Sequence, residues 1–134
     1  MDKRAVLVGG TVSALLALLS VLLAGIAAAG FWGTAAGVIV AVRARDTTDG
    51  LFDGALAGLI GGVGTVGVVL LLMTLEAFVL TGSWSASTSI GAYFSVATMF
   101  ILIPLFVFEG MVTGAIGTYL REKMSQRKST IATK

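Results

Sequence analysis

Cysteine, histidine and asparagine are absent from the 134-residue sequence, proline occurs once (Pro104) and glutamine once (Gln126). Without cysteine there is no disulfide framework, no thiolate metal site and no thiol nucleophile. Without histidine there is no Ser-His or Cys-His pair and no histidine pH switch. Charge is scarce as well, at 12% of residues, where an average soluble domain carries about 25%. What fills the space is apolar: 57% of residues, with a mean hydropathy of +1.01. That balance points away from a soluble globular fold. The expected class is all-α, a polytopic transmembrane four-helix bundle forming a single domain over residues 1–134.

The nine basic residues occupy three short segments: Lys3 and Arg4, then Arg43 and Arg45, then Arg121, Lys123, Arg127, Lys128 and Lys134. A second polar break, Thr81–Ser89 (TGSWSASTS), carries no charge. Basic residues flanking membrane segments stay on the cytoplasmic side. One arrangement satisfies all of them, with both termini and the central stretch Ala44–Gly54 inside and Thr81–Ser89 outside. The expected location is therefore the cell membrane, multi-pass with cytoplasmic termini; a viral membrane is the alternative host.

A span needs about 20 apolar residues. Ala5–Val42 is one long apolar stretch interrupted by Gly25 and Gly30, which predicts a hairpin with spans near 5–24 and 26–42. Further spans are predicted over 51–80 and 90–120, followed by a basic tail over 121–134. The last two spans exceed the hydrocarbon thickness and must tilt, kink or project. Pro104 removes a backbone donor and is expected to kink the fourth. Met1–Ala29 also has signal-peptide features, a basic start and Ala27-Ala28-Ala29. Its apolar run begins at Ala5 and continues past Ala24. That outlasts the apolar core of such a segment, roughly 7–15 residues, and it is read as a span.

Small residues recur every fourth position: Gly9, Ser13, Ala17; Gly33, Gly37, Ala41; Gly54, Gly58, Gly62; Gly110, Gly114, Thr118. Positions i and i+4 share a helix face, and small side chains let two backbones approach closely in lipid. These ladders are the expected helix interfaces, either within the chain or in a homo-oligomeric glycine zipper. All four fall in the cytoplasmic half of their helices, so the bundle is expected to be tighter there. Phe31–Gly37 (FWGTAAG) and Phe108–Gly114 (FEGMVTG) form a weak internal repeat. Each copy leads to a basic residue, Arg43 or Arg121, which suits two hairpins related by an axis along the membrane normal.

Seven acids remain. Asp2, Asp46, Asp49, Asp53 and Glu122 are interfacial by position. Asp46–Gly50 reads as a turn, with Asp49 or Asp53 capping the third helix. Glu76 and Glu109 fall inside apolar spans, and an intramembrane carboxyl is a functional candidate by default. Glu76 lies toward the outer interface. Glu109 lies 12 residues before Arg121, about 18 Å of helix from the cytoplasmic edge, with no basic residue in any span to pair with it. It is expected to keep its proton or to bond hydroxyls such as Thr113 or Ser95. Glu109 and Glu76 are thus the candidate proton or ion sites. Trp32, Trp84 and Tyr93 near the outer level and Tyr119 near the inner edge read as an aromatic belt.

The stretch GFWGTAAGVIVAVRARDTTDGLFDGALAGLIGG, Gly30–Gly62, resembles a family of small haloarchaeal four-span integral-membrane proteins of unknown function. In that family a glycine-rich helix end, a short Asp/Gly loop and a DGxxxG helix start recur. The closing segment FVFEGMVTGAIGTYLREK resembles the same family's last helix and basic tail. The chain departs from the pattern at Phe31-Trp32, where a Gly or Pro turn is expected, and in its long first hairpin. The resemblance implies four spans and no assigned activity. With Ser, Thr and two separated carboxyls as the only chemistry in its spans, the chain is expected not to be an enzyme and to need no cofactor or metal. Its expected role is packing, scaffolding or lipid contact. The alternative is an oligomeric channel, holin-like pore or proton-coupled transport subunit. The expected partners are the bilayer, including anionic lipids at the basic tail, and further copies of itself, but not nucleic acid.

Overall fold

The computed structural model describes residues 2–132, and the side chains of all of these except 26, 27 and 127–132. It contains four α-helices and one 3-10 segment, with no strand among the described residues. They are α1 (Lys3–Ala24), the 3-10 segment (Ile26–Phe31), α2 (Gly33–Arg43), α3 (Thr47–Thr81) and α4 (Trp84–Ala132). Three stretches, Lys3–Ala24, Thr47–Thr81 and Trp84–Gln126, are long and apolar enough to cross a membrane.

The first helix begins where Asp2 caps it, accepting from the Arg4 and Ala5 amides at 3.0 and 3.2 Å. It ends at Gly25, whose φ of 83° is open to glycine and closed to most other residues. The following segment, expected as one span over 26–42, is not one helix. It descends as a 3-10 turn and becomes α-helical only from Gly33, giving α2 just 11 residues. Two side-chain bonds to α1 hold the irregular stretch: the Ser13 hydroxyl donates to the Trp32 carbonyl, and the Trp32 indole donates to Ser20 Oγ at 2.5 Å. Trp32 is therefore half-buried against the middle of α1, where the sequence had suggested a place in the aromatic belt.

The third helix also starts earlier than its apolar pattern. Asp46 caps it, accepting from the Asp49 amide at 2.8 Å, so the expected turn Asp46–Gly50 is the cap and first turn of α3. Asp49 and Asp53 are not the cap. Asp53 is 2% exposed and accepts the Asp2 backbone N–H at 2.8 Å, tying α1 to α3. At the far end the expected loop Thr81–Ser89 shrinks to Gly82 and Ser83, with Gly82 in the left-handed region (φ 64°). The hydroxyls that made this stretch look like a loop are turned onto the helix itself. Ser87 donates to Ser83 O at 2.6 Å, Thr88 to Trp84 O at 3.1 Å and Ser89 to Ser85 O at 3.0 Å, the i−4 back-bonding open to such residues. The last helix runs on through Pro104 as one element.

The glycine ladders set the packing. Gly54 abuts the Gly110 carbonyl, Gly58 abuts Phe106, Gly62 abuts Ile103 and Gly50 abuts Gly114 and Thr118, so α3 and α4 run antiparallel, backbone to backbone. Gly33 abuts Phe106, Gly37 abuts Gly110 and Gly114, and Gly117 abuts Ala41, so α2 and α4 run parallel. Gly9 meets Ala36 and Ala57, Gly10 meets Ile60 and Gly61 meets Ser13, which sets α1 parallel to α3. The two copies of the internal repeat thus lie side by side in the same direction. The hairpins differ in height: the end of α1 at Val21–Gly25 is level with Leu72–Glu76, where the two helices border a groove of about 610 Å³. Beyond that level α3 continues for the rest of its 35 residues with α1 no longer beside it. Close packing at the basic end therefore gives way to grooves at the other. The outer surface is apolar, with Leu23 86%, Val79 83% and Leu80 79% exposed. In water such a surface has no counterpart in a stable monomer; in a lipid bilayer it is the normal exterior.

Candidate functional site

The carboxyl of Glu109 lies on the face of α4 that packs against α2. Its Oε2 is 2.8 Å from where a Cβ on Gly33 would stand, as are the Phe106 Cα and carbonyl oxygen, and it is this backbone that reserves position 33 for glycine. The carboxyl faces the Gly33 and Thr34 amides, which are the first two N–H groups of α2. Trp32, the residue before α2, offers no side-chain cap. Amides in the first turn have no intrahelical acceptor, and the helix dipole puts partial positive charge there. Glu109 therefore brings carboxyl oxygens from another helix to an end that α2 leaves without a cap of its own. Oε2 itself is buried and has no donor in bonding geometry among the described residues.

The opposite end of α2 is met by the same helix. Arg121 donates from Nη1 to the Val42 carbonyl at 2.5 Å and from Nη2 to the Ala44 carbonyl. These carbonyls close the C-terminal turn of α2, where partial negative charge collects. The stretch of α4 between Glu109 and Arg121 spans about 18 Å, which matches the length of α2, 11 residues. The two helices are parallel, so a carboxyl meets the positive end and a guanidinium meets the negative end. A cation placed like Arg121 is worth about 0.3–1 kcal/mol at a surface and up to about 2 kcal/mol when partly buried.

The hydroxyls expected to bond Glu109 do not reach its carboxyl. Thr113 donates to the Glu109 backbone carbonyl at 2.6 Å and to Thr34 O at 3.4 Å, sealing the α2–α4 contact. Ser95 lies about 21 Å away along α4, with a buried hydroxyl that has no partner among the described residues. Glu76, the other candidate, is exposed and borders the groove between α1 and α3 at the end away from the basic residues. Gly110, beside Glu109, is level with Gly54 and Gly58, several turns of α3 before Glu76. From the helical rise the two carboxyls are separated by about 30 Å, so the fold does not bring them into one site. Among the described residues there is no group of three or more acids placed to hold a metal ion.

The interface glycines Gly33, Gly37, Gly54, Gly58, Gly62, Gly110 and Gly114 all face neighbours within the chain. The role of Arg121 was hidden in the sequence, where it served only to mark the basic edge. The signal that points to it is the match between the Glu109–Arg121 spacing and the length of α2, and that length follows from where the 3-10 segment ends. Comparison with protein-family models, curated proteins and solved structures finds no match for this chain.

Proposed function

We propose that this is an integral membrane protein that acts without catalysis, by packing and lipid contact, crossing the membrane four times with both termini on the cytoplasmic side. α2 and the 3-10 segment before it form the second crossing. The cell membrane is the proposed location, with a viral membrane as the alternative host. The observation that carries this reading is the placement of α2 along α4, clamped by Arg121 at one end and facing Glu109 at the other, with glycines between. The carboxyl most suited to intramembrane chemistry faces the start of α2 inside that packing. The likeness of Gly30–Gly62 to small haloarchaeal membrane proteins supports the span count and adds no activity. A glycine-zipper oligomer has weaker support, because the ladders that would build it are filled within the chain.

A second reading, a proton- or cation-conducting subunit working through Glu109, draws on one observation, the buried Oε2 without a donor among the described residues. The two readings part in an assay of conductance and proton flux across liposomes holding the purified protein, with Glu109→Gln beside it. The packing reading expects no flux above empty liposomes for either protein. Flux in the wild type that disappears in Glu109→Gln would overturn it and make Glu109 the site.

A further inference from the structure

At the basic end the starts of α1 and α3 and the end of α2 enclose a cavity of about 350 Å³. Four cations line it: Lys3, Arg4, Arg43 and Arg45. Asp2, Asp49 and Asp53 line it too, leaving the cations one in excess; Asp49 has a partner of its own, and Asp2 and Asp53 serve the backbone. Asp53, nearly fully buried, accepts the Asp2 N–H at 2.8 Å. Asp2 in turn accepts the Arg4 and Ala5 amides. Among the described residues none of the four cationic side chains makes a hydrogen bond or an ion pair with the protein. This sets them apart from Arg121, whose guanidinium is used on α2.

Unpartnered cations gathered from two separate segments around a cavity are arranged for an anion. The size, at the small end of the roughly 300–1,000 Å³ of ligand pockets, suits a compact group. The surroundings identify its source. Leu7 (57% exposed), Val42 (69%) and Phe52 (63%) lie within one helical turn of the lining residues and present bare apolar surface beside the charges. A cationic pocket bordered by apolar helix faces at a membrane edge fits a phosphate with hydrocarbon chains attached. We propose that this cavity is a binding site for the phosphate headgroup of a membrane lipid, held by Lys3, Arg4, Arg43 and Arg45. The proposal rests on the lipid-contact reading and gives it a specific partner.

Native mass spectrometry of the full chain, released from micelles titrated with phosphatidylglycerol, tests it. One phospholipid is expected to remain bound. Arg43→Gln/Arg45→Gln should weaken its retention about 30-fold, from the usual contribution of each basic residue near a membrane surface. Arg43→Lys/Arg45→Lys should largely retain it, which separates loss of charge from loss of fold, and circular dichroism checks helicity in each. Lys123→Gln, at an exposed cation outside the cavity, should leave retention unchanged. Equal loss with Lys123→Gln would mean diffuse attraction to basic residues and would overturn the site, as would undiminished retention by Arg43→Gln/Arg45→Gln. Displacement of the lipid by millimolar inorganic phosphate would assign the cavity to a free anion and overturn the lipid as its source. Flux in the liposome assay would count against the packing reading, and headgroup retention would still be decided here on its own.

Discussion

Adding one methyl group at Gly54 puts the backbone contact between α3 and α4 to a direct test. A Cβ there would lie against the Gly110 carbonyl, with the carbonyl carbon at 2.9 Å and Gly114 Cα at 3.4 Å. Ordinary contact begins near 3.4 Å, so α3 and α4 must part at this level to admit it. The obstacle is backbone, so no rotamer change relieves it. A gap of roughly 0.5–1 Å forfeits about a quarter to a half of the dispersion energy of each contact it opens, and Gly50, Gly58 and Gly62 share the same interface. Overpacking of this kind costs about 1–3 kcal/mol. Alanine returns up to about 1 kcal/mol through its better helix propensity. Gly54→Ala should therefore lose about 1 kcal/mol net. Gly67→Ala is the matched control, in the same helix with nothing near its added Cβ, and it should lose nothing. The assay is reversible unfolding in mixed micelles of rising sodium dodecyl sulfate, followed by circular dichroism. Gly54→Ala/Gly110→Ala should deviate from the sum of the single changes, because the two sites face each other. Equal stability of Gly54→Ala and wild type, or equal losses at Gly54 and Gly67, would refute the proposed packing.

The other predictions concern the side-chain bonds that hold α2 and the segment before it. Ser20→Ala removes the acceptor of the Trp32 indole and should cost about 0.6 kcal/mol, the average for such bonds between membrane helices; in a Trp84→Phe background the Trp32 emission should shift. Arg121→Ala frees the Val42 and Ala44 carbonyls and should cost about 1–2 kcal/mol, whereas Lys123→Ala should be neutral in the same unfolding assay. Glu109→Leu should destabilise more than Glu109→Gln, since leucine removes every acceptor facing the Gly33 and Thr34 amides; equal effects would argue against the clamp.

Much of the architecture was legible because membranes constrain sequence so tightly. The apolar runs located the three long helices, since a spanning backbone must satisfy its own hydrogen bonds. The four-residue glycine spacing identified the contact faces, since only small side chains permit such approach. The internal repeat pointed to α2 and α4 running together, and Gly37 against Gly110 and Gly114 places them so. Local chemistry was harder to read. The run Thr81–Ser89 looked like a loop because its residues are polar, yet hydroxyls can bond the preceding turn as readily as water. Asp49 and Asp53 looked like caps because they sit at an apolar boundary, but the helix begins one turn earlier, at Asp46.

What the sequence determined by itself was the class of the molecule, the approximate place and the contact faces of its long helices and the oddity of Glu109, because hydropathy, charge placement and residue size act locally along a chain. Tertiary structure alone decided where α2 begins and what Glu109 and Arg121 are for. The break before α2 depends on Ser13 and Ser20, which reach Trp32 across 19 and 12 residues. The helix so shortened ends at carbonyls that Arg121 reaches across 79 and 77 residues. Such contacts leave no period in the sequence, since they are set by which helices lie side by side.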